Sequence, residues 1–150
     1  MILSRKSSLL SLSLFFLFLP SLLSGGFFFP YPPSARLLRL TTKHFEVLFP
    51  ENLRQEAFRT AGWAEEILPQ LADELGWRPR ERITVLLYSN LDFSNGFATP
   101  VPFLLIGLFA TPPPVTSEIG HYDSWLRVAL AHELTHLVHL DQARDLSWKL

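Results

Sequence analysis

No cysteine occurs in this 150-residue chain. Disulfides, thiolate metal sites, a cysteine nucleophile and a lipid-modified N-terminal cysteine are thereby excluded. The compartment stays open on this ground alone, since exported proteins also fold without disulfides. Nor is there an excess of positive charge: 13 Lys and Arg stand against 14 Asp and Glu, for a formal net charge of -1. With no basic stripe and no interleaved aromatic residues, nucleic acid is not an expected partner. No internal repeat and no long low-complexity tract follows the N-terminal region. Apolar residues make up 48% of the chain, part of them concentrated at its start. The length suits one domain able to bury a core.

Arg5 and Lys6 precede an apolar run over residues 9–19, which Pro20 breaks, and "SLLSGG" supplies a small-residue exit. This is the pattern of a secretory signal peptide over residues 1–26. Cleavage is expected after Gly26, where Ser24 and Gly26 put small side chains at the two positions a signal peptidase reads. The alternative is an uncleaved anchor, because apolar character extends through Phe29 and is just long enough to span a bilayer. Pro20, Gly25 and Gly26 argue against one continuous helix. The expected location is therefore the periplasm or cell envelope, with membrane contact only through an uncleaved segment. Residues 27–35, "FFFPYPPSA", read as a Pro- and aromatic-rich lead-in. The domain is expected over residues 36–150.

Residues 44–49 alternate as a strand ending at Pro50. A helix is predicted over residues 53–75, with apolar positions at helical spacing, a kink at Pro69 and a stop at Gly76. Residues 82–89 and 103–110 read as apolar strands, and the segment between them as a loop with an Asn95-Gly96 turn. Asp123 or Ser124 can cap a last helix reaching to about Asp141. Trp63, Trp77 and Trp125 are most simply packing groups.

That last helix contains "AHELTHLVHLDQ", residues 131–142, with three of the chain's five histidines. His132 and His136 are four residues apart, so on a helix both rings lie on one face, a turn apart. Two imidazoles so arranged can hold one zinc ion, at about 2.0–2.1 Å from each nitrogen. Glu133 projects about a quarter-turn away and can meet a zinc-activated water without being a ligand. This is the H-E-x-x-H pattern, two ligands and a general base. Zinc lowers the pKa of its water to about 7, and the glutamate takes the proton as the water attacks a polarised carbonyl. Random placement of this chain's His and Glu residues produces the pattern roughly once in a hundred cases. Leu126, Leu130, Leu134, Leu137 and Val138 cover the other sides, so the helix is expected to be buried nearly all round. Polar groups in such a core need a partner, and zinc supplies one. The plainer alternative is a helix whose His and Glu hydrogen-bond to their neighbours.

His139 shares the face but sits about 10 Å along the axis from His132, out of reach of the same ion. The longer pattern H-E-x-x-H-x-x-G-x-x-H fails, since His139 occupies its Gly position and Gln142 its last His position. A carboxylate is the expected third ligand, as in His₂Glu sites.

"HELTHLVHLD" preceded by "GHYDSWLRVALA" resembles the exported bacterial zincins of peptidase clan MA, the gluzincin-like kind. "HFEVLFP", the helix ending "ELGWRP", "ITVLLYS" and "DFSNGFATP" followed by an apolar strand fit the same pattern. The resemblance implies an α+β zincin-like half-domain: a mixed sheet packed on a long helix and on a buried H-E-x-x-H helix. It implies zinc-dependent peptide hydrolysis in the cell envelope, with His132 and His136 as ligands and Glu133 as catalytic base. It implies an edge strand at residues 103–109 that lines the cleft and pairs with an extended peptide or protein substrate. It also implies a third ligand, a glutamate on a later helix, which would fall beyond Leu150, so a domain incomplete at its C-terminus is expected. Asp141, Asp145, His121 and Glu118 are the substitutes within the chain, Asp145 foremost. The competing expectation is a catalytically incomplete fragment, or a non-enzymatic envelope interaction domain that retains the helix.

Overall fold

Phe45, Val47 and Phe49 are buried while Glu46 and Leu48 between them are only partly covered. This period of two belongs to a strand with one face on a core. The strand is Phe45–Phe49 (β2), and it forms an antiparallel pair with Leu38–Thr41 (β1). The computed structural model describes residues 31, 35–89, 95–112 and 124–147. The signal segment expected over residues 1–26, most of the lead-in, His121, Glu118 and Asp123 lie outside the described residues. All elements belong to one unit, Pro33–Leu150.

After Pro50 a 3-10 turn, Glu51–Leu53, leads into the helix Arg54–Leu75 (α1). Ala57, Ala61, Ala64, Leu68 and Ala72 recur on its buried side, the stripe of an amphipathic helix. The helix remains one element through Pro69 and ends at Gly76, whose φ of 65° is the left-handed cap conformation. The Trp77 amide then donates to the Ala72 carbonyl at 3.1 Å, closing a Schellman-type end.

Ile83–Tyr88 (β3), Gly96–Thr99 (β4) and Leu105–Phe109 (β5) complete a five-stranded sheet of order β1-β2-β3-β5-β4. β2, β3 and β5 are parallel, and β1 and β4 run antiparallel along the two edges. The register sets Val47 beside Val85, Val85 beside Ile106 and Ile106 beside Ala98. That inner row meets α1 and a second helix, Trp125–Ser147 (α2), in one apolar cluster. Leu130, Leu134 and Leu137 of α2 are fully buried in it. Truncating any one of them to Ala costs about 3 kcal/mol by the usual loss of contacts and cavity formation. No helix among the described residues is long and apolar enough to cross a membrane.

The architecture is α+β, with a mixed sheet and two helices. The three apolar strands lie where sequence patterning puts them, with ends trimmed by one or two residues. Three elements differ. Residues 38–41 and 96–99 form the edge strands, and α2 continues past Asp141 to Ser147.

The β1–β2 turn is tied to α1 by one carboxylate. Glu65 Oε1 accepts from the Thr42 hydroxyl at 2.6 Å and from the His44 amide at 2.7 Å, and its Oε2 lies 2.7 Å from His44 Nδ1. Burial pushes the Glu65 carboxyl up, but these hydrogen bonds together hold it below the usual carboxylate range. A lowered folded value means the stability from Glu65 is present above its unfolded pKa, about 4.3. That stability is lost as pH falls through the folded value. Glu65→Gln is therefore expected to flatten the acid limb of a melting-temperature-versus-pH curve below about pH 4.5; an unchanged limb would refute the assignment. A second expectation concerns Thr60, whose buried hydroxyl has no hydrogen-bond partner among the described residues. Thr60→Val keeps the shape and removes the unsatisfied group. It should stabilise the fold by about 1 kcal/mol, a gain of a few degrees in Tm, and a loss of stability in thermal melts would contradict this.

Candidate functional site

Helix α2 has one closed and one open face. Leu126, Ala129, Leu130, Leu134, Leu137, Val138 and Asp141 are buried, whereas His132, His136 and His139 are exposed and Glu133 is half-buried. This corrects the expectation of a helix buried nearly all round. The apolar residues form a stripe along the sheet-facing side, and the histidines project from the opposite side. Burial therefore does not force a partner on the imidazoles.

His132 Nε2 and His136 Nε2 lie 3.0 Å apart, with the rings nearly perpendicular at 81° and their centroids 4.5 Å apart. Two nitrogens bound to one tetrahedral zinc at about 2.0–2.1 Å each would stand roughly 3.3 Å apart. The pair thus fits two corners of such a site after a shift of a few tenths of an ångström. Without a cation, the same separation is a hydrogen bond in which one ring nitrogen donates.

Glu133 is held against the edge strand. A methyl group added to Gly96 would come within 2.9 Å of both Glu133 Cγ and Oε1, so the backbone of β4 approaches this side chain only because position 96 carries none. Burial there pushes the Glu133 carboxyl above the usual carboxylate range, while His132 and His136 pull the other way. Gly96, His132 and Glu133, together with Asn95, Trp125, Val128 and Ala129, line a cavity of about 330 Å³. The start of α2 is pinned to the end of β5, since the Trp125 indole donates to the Phe109 carbonyl at 3.0 Å. A larger cavity, about 430 Å³, lies at the other end of α2. Its charged side chains are committed to one another, so volume does not single out the histidine pair here.

The substitutes for a third ligand fare differently. Asp141 sits about half a turn round the helix from His132. It is 4% exposed and accepts from the Trp77 indole at 2.9 Å and from Arg144 at 2.8 Å. Asp145 is 3.6 Å from Arg80 at the same far end. Neither carboxylate joins the histidine pair, and no group of three metal-binding side chains occurs among the described residues. His121 and Glu118 lie outside those residues.

The cleft strand also differs from expectation. β5 is an interior strand paired on both sides, and β4 is the edge beside the helix. Gly96, Asn95 and Trp125 thus enter the site although sequence reasoning assigned them to a turn and to the core. Phe97, Ala98, Thr99 and the terminating Pro100 were the available strand signal. Comparison with known proteins gives no matching family model, no matching curated relative and no matching solved structure.

The close approach of Gly96 to Glu133 makes a measurable coupling. Gly96→Ala should destabilise by about 1–3 kcal/mol through overpacking. Combining it with Glu133→Ala should return at least about 1 kcal/mol relative to the sum of the single effects. Strict additivity in denaturant melts would mean that the two residues do not meet.

Proposed function

We propose that the chain is the zincin-like domain of an exported zinc metallopeptidase that hydrolyses peptide bonds in the cell envelope. The observation that carries this reading is the convergence of the two imidazole nitrogens, 3.0 Å apart, beside a glutamate packed on a sheet edge. The envelope location rests on the signal pattern of residues 1–26. His132 and His136 would hold the metal. Zinc, when bound, supplies a Lewis acid that acidifies a water molecule and polarises a carbonyl. Glu133 accepts the proton of the attacking water and afterwards returns it to the leaving amine. β4, whose outer edge has no neighbouring strand among the described residues, offers backbone donors and acceptors to an extended peptide, which would add as a further strand. Trp125, Val128 and Ala129 give the cavity beside Glu133 a largely apolar wall suited to a substrate side chain.

A second reading is favoured by the count of ligands, two histidines and no third group among the described residues. In that reading the helix binds metal weakly and the domain serves in interactions, without catalysis, because catalytic zinc sites generally use three protein ligands.

Zinc titration and a peptide-hydrolysis assay on the full chain separate the two. In the enzymatic reading, zinc binds at one ion per chain, chelation abolishes hydrolysis, and added zinc restores it. Glu133→Gln should lower kcat by roughly a hundredfold to ten-thousandfold with zinc still bound, and His136→Ala should lose the metal as well. Turnover unchanged in Glu133→Gln would overturn the mechanism; weak, sub-stoichiometric zinc with no hydrolysis would favour the second reading.

A further inference from the structure

Among the described residues Asp141 is the most deeply buried charged one outside the histidine site, and its bonds lead to the edge strand. Its Oδ2 accepts from the Trp77 indole and its Oδ1 from Arg144 Nη2. The other terminal nitrogen of that guanidinium, Nη1, donates to the Pro100 carbonyl at 2.9 Å, and Nη2 also reaches Glu81 at 3.3 Å. Pro100 directly follows β4. The chain of contacts therefore runs from the capped end of α1, through Trp77, Asp141 and Arg144, to the far end of the cleft's edge strand.

We infer that Arg144 is a positioning residue that fixes the gap between the substrate-binding edge strand and the helix carrying the histidines. The inference rests on the reading of β4 as the peptide-binding edge given above. β4 is only four residues long and is paired to a single neighbour, so its ladder alone leaves it weakly held. Its near end is fixed by the Asn95 carbonyl, which accepts from the Phe109 amide at 3.0 Å, and by the approach of Gly96 to Glu133. Its far end is fixed by Arg144. Arg144 lies eight residues after His136, about 12 Å along the same helix. One rigid body thus sets both ends of the strand and both imidazoles. The residue must be arginine for a geometric reason. A planar fork serves the Pro100 carbonyl and the two carboxylates at once, which a single ammonium on a flexible stem does poorly.

The test is amide hydrogen exchange on the full chain, combined with zinc-loaded peptide kinetics. Arg144→Ala should raise exchange at residues 96–99 about tenfold or more, leaving β2, β3 and the middle of α1 at wild-type rates. It should raise KM about tenfold with kcat within about threefold, and Arg144→Lys should fall between the two. A general rise in exchange across the sheet, or a fall in kcat at constant KM, would overturn the assignment. If wild type hydrolyses no peptide, the functional reading fails while the exchange result still decides the brace. If Arg144→Ala does not fold, Trp77→Phe deletes only the indole donor to Asp141 and should give the same local rise. Wild-type exchange at residues 96–99 in the folded variant would refute the inference.

Discussion

The docking of α2 by its leucine stripe is the constraint on which the site depends. Leu130, Leu134 and Leu137 are sealed in the core. Each contributes about 1.5–3 kcal/mol through removal of its side chain from water. Their spacing fixes the rotation of the helix about its own axis, and 3.6 residues per turn then leave no freedom in where positions 132 and 136 project. The imidazoles meet on the open side because the leucines are committed on the closed side. The indole of Trp125 on the Phe109 carbonyl and the guanidinium of Arg144 on the Pro100 carbonyl hold the two ends of the same helix against the sheet. The apolar stripe sets the rotation, and the two polar contacts resist sliding along the axis.

The edge strand is shaped by alternation. Gly96 pairs with Leu108 and Phe97 with Gly107, so successive residues of β4 address opposite faces of the sheet. On one face the missing side chain of Gly96 makes room for Glu133. On the other, the Phe97 ring lies over Gly107, where an added methyl group would come within 2.1 Å of a ring carbon. Phe97 also reaches toward Tyr88, with ring centroids 6.4 Å apart. A slip of one residue would drive Phe97 into Glu133 and leave Gly107 uncovered. The register of four residues is therefore fixed from both faces at once, and with it the position of the glutamate.

These relations explain which parts were legible in the amino-acid order. β2, β3 and β5 announce themselves as β-branched and apolar runs, α1 by its alanine and leucine spacing, and the His132, Glu133 and His136 constellation by local spacing alone. β1 and β4 are short, and their residues are only partly covered or exposed, so no hydrophobic period marks them. Asn95-Gly96 reads as a turn because the same glycine that favours a turn also permits close approach by a side chain distant in sequence. Residues 105–109 are buried at every position, the signature of a strand covered on both faces. That run argued for the sheet interior, and family resemblance had assigned it to the edge. The end of α2 was set too early because Gln142, Ala143 and Arg144 look like a solvated exit. Their neighbour Asp141 is buried and accepts a hydrogen bond from Trp77, 64 residues earlier in the chain.

The same long-range contact bears on how the proposed metal site on α2 would be completed. Drawing Asp141 toward the histidines would strip the Trp77 indole and the Arg144 guanidinium of their shared acceptor. Leaving the partly buried Trp77 indole without that acceptor costs about 1 kcal/mol, before counting the half-turn of helix that separates the carboxylate from His132. Asp145 faces the same side and is engaged with Arg80. His139 is on the open side but a further turn away. Asp141 and Asp145 are thus engaged at the far end of α2, and in the proposed metal site a third donor would approach the imidazoles across the exposed face of the helix, from a different segment. The division of α2 into a sealed side that organises the fold and an open side that presents the rings therefore dictates the direction from which the coordination sphere of the proposed metal would be closed.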